Sequence, residues 1–180
     1  MSRVGDGGDW DEQFPNEWAF WERRRQQVLS SRAGYKALSD LRAALLALPE
    51  KRLIARALST VGKESALEND RWGEARELLT EQGEGVCAVG AYAWYQRVKA
   101  GADPREAMAA LPLLPDYDSN AWETVLAGRD AGLQETLAWI VVDANDEQFA
   151  GLTPEERYEA VLRWIDETLA AYPEAVKASA

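Results

Sequence analysis

Apolar residues recur at helical spacing along most of the chain. Phe14, Trp18, Trp21 and Val28 follow one another at steps of four, three and seven, which is one face of a helix. Gly34 is expected to break that helix. Ser39-Asp40 then caps a second, Leu41 to Leu48, which Pro49 ends. Residues 85 to 96 carry no charge, and Cys87, Ala91, Trp94 and Val98 form a stripe at steps of four, three and four. Small residues dominate that stripe, so this stretch reads as a central buried helix ending near Ala100-Gly101. Leu133, Leu137, Trp139, Ile140 and Val141 are apolar nearly all round and are expected to pack on the Cys87 helix. Tyr158, Val161, Leu162, Ile165 and Leu169 form the inner face of a last long helix.

The punctuation between these segments is helical too. Asp103-Pro104 places an N-cap before a proline in the first turn, and Thr153-Pro154-Glu155-Glu156 adds a capping-box glutamate. Asp118 or Ser119 is expected to cap a helix carrying Trp122, Val125 and Leu126. Gly73 to Glu81 suits a short helix, and residues 63 to 72 read as a loop. Residues 51 to 58 fit either a short helix or a short strand. The fold expected is therefore mainly α: one compact helical domain of about six to eight helices, with at most a minor two-strand element near 52 to 58 and 84 to 87. The domain should span residues 10 to 172, between a Gly/Asp-rich tail over 1 to 9 and a frayed end over 173 to 180.

Composition removes several chemistries. The chain of 180 residues has eight tryptophans, one cysteine and no histidine. Without histidine there is no Ser-His or Cys-His nucleophile pair, and the commonest zinc ligand is missing. One cysteine forms no internal disulfide, and no stretch reads as a secretory signal or a membrane helix, so a cytoplasmic location is expected. The net charge of −11 is unevenly placed. Residues 1 to 100 hold 15 acidic and 15 basic side chains; residues 101 to 180 hold 16 acidic and 5 basic. The C-terminal part should repel nucleic acid and favour a basic partner.

Four local features invite a chemical reading. Cys87, in the first turn of its helix, could have a lowered thiol pKa, but its apolar neighbours favour a buried small side chain. Asp143-Ala144-Asn145-Asp146-Glu147 imitates the start of a calcium loop, yet Gln148 and Pro154 stand where glycine and glutamate are needed, so a helix C-terminal turn is expected and no metal or other cofactor. Arg23-Arg24-Arg25 is either a solvated face or a small anion-binding patch. The acidic residues Asp143, Asp146, Glu147, Glu155, Glu156, Glu159, Asp166 and Glu167 fall on expected exposed faces and are the candidate partner-binding set. Trp18, Trp21, Trp122 and Trp164 are candidate anchors beside them.

The element Gly85-Val86-Cys87-Ala88-Val89-Gly90-Ala91, with Lys51-Arg52-Leu53-Ile54 before it and Leu152-Thr153-Pro154-Glu155-Glu156-Arg157 after it, resembles small uncharacterised proteins of actinobacteria and their phages. The resemblance spans about residues 41 to 170. It implies no activity and transfers no functional residue, but a phage relative implies a host-directed binding protein. The expected function is a non-enzymatic, acidic protein-binding module. In its most concrete form it is a phage-encoded inhibitor, anti-CRISPR-like or a DNA mimic, that masks a basic nucleic-acid-binding surface of a host defence factor. The alternative is a histidine-free enzyme with carboxylates in a cleft beside the central helix.

Overall fold

The computed structural model describes residues 15–62, 74–113, 121–149 and 151–178. Among these, nine α-helices occur in chain order: α1 Pro15–Leu29, α2 Arg32–Ala47, α3 Glu74–Gln82, α4 Ala88–Lys99, α5 Pro104–Ala109, α6 Trp122–Asp130, α7 Glu135–Asp143, α8 Pro154–Ala170 and α9 Glu174–Ala178. A π-helical turn, Ala144–Gln148, extends α7. The fold is mainly α, as the apolar spacing requires, with one helix beyond the expected count. That helix is α9, in the stretch read as a frayed end. In place of the possible strand pair near 52 to 58 and 84 to 87, the described residues show an isolated antiparallel bridge, Ser59 to Val86.

α4 is central. Seven successive residues, Ala88 to Trp94, are buried, and the helix touches α2, α5, α6 and α7. Full burial of each large aliphatic side chain stabilises by roughly 1.5–3 kcal/mol, and Leu38, Leu41, Leu45, Leu58, Leu133 and Leu137 all lie in this one core. Close approach depends on the small residues. A Cβ on Gly90 would stand 2.3 Å from the Leu58 carbonyl oxygen, and one on Gly128 would meet Val89 and Ala138 at 3.0 and 3.2 Å. A Gly90→Ala protein should therefore lose about 1–3 kcal/mol, the range for overpacking, read as a lower denaturant midpoint at unchanged slope.

Two helix starts differ from expectation. The chain breaks at Ser30-Ser31, not at Gly34: Ser31 caps α2 by accepting from the Gly34 amide at 2.9 Å. Gly34 lies inside the helix, and a Cβ there would stand 2.0 Å from the Val28 carbonyl oxygen, so the position requires glycine for close approach and not for a break. Ser39 and Asp40, expected as caps, are mid-helix. Ser39 donates back to the Tyr35 carbonyl, and Asp40 pairs with Lys36 and Lys99, each at 3.1 Å, tying α2 to α4. The Thr153 capping box forms as expected, with both reciprocal bonds in place, and Asp103 caps α5. Asp118, Ser119 and the loop over 63 to 72 lie outside the described residues. α6 itself begins after Ala121 with no side-chain cap.

Candidate functional site

The three segments that carry the sequence resemblance meet in space. The Ile54 amide donates to the Val86 carbonyl at 3.1 Å, and the Leu53 amide to the Pro154 carbonyl at 2.9 Å. Arg157, only 2 % exposed, closes the junction. Its Nη1 donates to the Leu53 carbonyl and to Gln82 Oε1 at 3.0 and 3.1 Å, and its Nη2 to the Leu152 carbonyl at 3.0 Å. The π-turn supplies the other half. Its extra residue per turn carries Asn145 and Asp146 inward, where the Asn145 amide donates to the Ile54 carbonyl at 2.9 Å and to Asp146 at 2.5 Å.

This corrects one member of the acidic set: Asp146 is 8 % exposed and cannot face a partner. A π-turn stands where a helix C-terminal turn was expected over 143 to 147. Burial lowers the Arg157 pKa while the Asp146 charge raises it, as expected of two opposite charges in one dry site. Among the described residues no group of acidic or cysteine side chains could hold a metal ion.

Cys87 caps α4 instead of sitting in its first turn, and its sulfur accepts from the Gly90 amide at 3.4 Å. Burial, then the Asp146 charge, push the thiol up to about 12. A thiol-directed reagent at pH 8 should leave the native protein unmodified and label Cys87 fully in denaturant; rapid native labelling would show that the core opens easily.

The remaining seven acids are exposed. Several already have arginine partners: Asp143 with Arg25 at 3.7 Å, Asp166 with Arg42 at 2.5 Å and Glu155 with Arg52 at 3.6 Å. Glu156 accepts from the Thr153 amide and hydroxyl, which hold its carboxyl below the usual range. Glu147, Glu159 and Glu167 make no ion pair among the described residues.

A concave site lies elsewhere, between α1, α7 and the start of α6. It is about 560 Å³ and is walled by Trp21, Trp122, Trp139, Glu22, Glu135 and Asp143. Glu135, Trp139 and Asp143 recur every four residues on α7 and so share one stripe. The Trp122 and Trp139 rings stack with centroids 6.2 Å apart and planes 29° apart. Trp21 is 52 % exposed and Trp122 40 % exposed, an unusual amount of indole to leave in water. α1 is held against α7 at this place by Arg25 with Asp143 and by Arg24 Nε donating to Thr136 at 3.0 Å. Among the described residues its wall has three carboxylates and one cation, Arg25, which makes the local charge of these residues negative.

Of the candidate anchors, Trp21 and Trp122 line the groove. Trp164 lies half-buried against the core, and the Trp18 side chain lies outside the described residues. Of the candidate acids, only Asp143 is in the wall. Glu22, Glu135 and Trp139 escaped the sequence reading, because Trp139 sits in an apolar run that reads as core. The spacing of Glu135, Trp139 and Asp143 was the signal.

Comparison with protein-family models, with curated proteins and with solved structures finds no match for this chain. The class of protein is therefore defined by its fold and its groove: a single helical domain with an aromatic, acid-walled groove on its surface. No helix among the described residues is long and apolar enough to cross a membrane.

Proposed function

We propose that this protein is a non-enzymatic binding module that docks on the basic surface of another protein through the Trp21–Trp122–Trp139 groove. The observation that carries the proposal is the pairing of exposed indole with carboxylates in one concave site. An arginine or lysine side chain fits both walls. Its charge meets Glu22, Glu135 and Asp143, and its flat or aliphatic part lies on the indole faces, a contact worth roughly 0.5–2 kcal/mol. The net charge of −11 adds long-range attraction for a basic partner. The narrower form of the proposal, an inhibitor that occupies the nucleic-acid-binding surface of a host factor, follows from the same complementarity. A surface built to hold phosphates presents spaced cations, and this groove offers spaced carboxylates.

The test is a titration with a short arginine-rich peptide, followed by tryptophan fluorescence at low and high salt. The native chain should bind, more weakly as salt rises, and a Glu135→Lys/Asp143→Lys protein should not. Equal binding by both proteins would remove the groove from the interaction.

An enzymatic reading has one observation in its favour. A second cleft, of about 590 Å³, lies beside α4 and contains Glu123 and Asp130. The two are seven residues apart on α6, roughly 10 Å along the helix axis, and Asp130 is engaged by Arg129 at 3.6 Å. That separation is wide for a pair sharing one reacting bond. The groove of exposed indoles is the better-supported site.

A further inference from the structure

The arginine run of α1 is divided by the fold. Arg25 turns to Asp143 in the acidic groove. Arg23 and Arg24 instead line a separate groove of about 840 Å³ together with Phe20, Gln27 and Gln134. Phe20, Arg23, Arg24 and Gln27 follow one another at steps of three, one and three, so they form one stripe of α1. Each guanidinium is anchored through its Nε: Arg23 to the Ala19 carbonyl at 3.1 Å and Arg24 to Thr136 at 3.0 Å. Among the described residues neither pairs with a carboxylate and no carboxylate lines this groove. In a chain with 31 acids and 20 bases, two adjacent cations with no acidic partner among the described residues are conspicuous.

Two further features point the same way. Gln134 is the N-cap of α7 and makes no side-chain capping bond, so the positive end of that nine-residue helix lies at the groove without a side-chain acceptor from its cap. Phe20 is 51 % exposed and offers an apolar ring face beside the guanidiniums. Two forked donors grip an oxyanion in charge-assisted pairs, and a flat ring beside them holds a flat apolar body.

We propose that this groove binds a phosphate monoester carried on an aromatic body. The Nη groups of Arg23 and Arg24 hold the phosphate, and Phe20 packs against the ring. No residue of one wall belongs to the other, and the Arg24–Thr136 bond is where the two grooves meet.

Calorimetric titration of the full chain with adenosine monophosphate, phenyl phosphate, adenosine and inorganic phosphate tests this. Both phosphate esters should bind, adenosine should not, and inorganic phosphate should bind at least about tenfold more weakly because it lacks the ring. A tighter nucleotide than phenyl phosphate names a nucleotide as the source; the reverse names a phosphorylated aromatic side chain. Arg23→Gln/Arg24→Gln should cost roughly tenfold or more in affinity for either ester, while Phe20→Ala should weaken the esters but not inorganic phosphate. All three side chains are exposed, and Arg24→Gln gives up only the single bond to Thr136, so circular dichroism checks that the helical fold is kept. Arg23→Gln alone, which leaves that bond in place, should still weaken both esters. Failure of both esters to bind at millimolar concentration, or binding unaltered in the double variant, overturns the proposal. Neither result bears on docking of a basic peptide in the acidic groove.

Discussion

Replacing Arg157 by leucine should lower the unfolding free energy by about 3–5 kcal/mol, the usual cost of breaking a buried charge pair by removing one member. For a chain of this size that corresponds to a melting point lower by roughly 10 °C. Arg157 is where four parts of the chain are joined. Its guanidinium reaches the carbonyls of Leu53 and Leu152 and the side-chain oxygen of Gln82, while its own backbone belongs to α8. Leucine would fill part of the volume but would satisfy none of those acceptors, and it would leave the buried Asp146 charge without its balancing cation. Arg157→Leu combined with Asp146→Leu should recover part of the loss, because the stranded charge goes with its partner. Denaturant unfolding of the two proteins measures both effects. A loss below about 1 kcal/mol in the single variant would mean that water reaches the junction and replaces the lost bonds.

The second large effect belongs to binding. Trp122→Ala should weaken an arginine-rich peptide by roughly tenfold to a hundredfold, as expected of a central aromatic anchor. The fold should be nearly untouched, since Trp122 is 40 % exposed at the first turn of α6. Trp164→Ala is the useful contrast: that ring packs against the core on α8, away from the groove. It should cost stability and leave affinity in place. The opposite pattern would move the docking surface onto α8.

Much of the fold could be read from apolar spacing and helix punctuation. The uncharged stretch around Cys87, the apolar Leu133 to Val141 segment and the Thr153 capping box each carry a local rule, and each became the expected element. Gly34 misled because a glycine marks either a break or a close contact, and only the nearby Val28 carbonyl, brought in by the fold, decides between them. Ser39 and Asp40 have cap chemistry at mid-helix positions, where Ser39 bonds the preceding turn and Asp40 ties two helices together.

The site was less accessible. Acidic residues recur on α8, which points to that helix, while arginines distant in sequence pair with two of them, Glu155 and Asp166. Asp146 shows the limit most clearly. Nothing local says that α7 widens into a π-turn, yet that extra residue takes a carboxylate from surface to interior. The groove is assembled from α6 and α7, which are consecutive, and from α1, which precedes them by about a hundred residues. Trp21, Trp122 and Asp143 were legible as candidates, but Glu135 and Trp139 stand inside a run whose apolar neighbours suggested core.

The most direct measurement is a map of amide and indole NMR shifts as the arginine-rich peptide is added to the native chain. Docking in the groove predicts changes at the Trp21, Trp122 and Trp139 indoles and along Glu135 to Asp143, with α8 unmoved. Changes centred on Glu155, Glu159 and Glu167, with those three indoles unmoved, would contradict it.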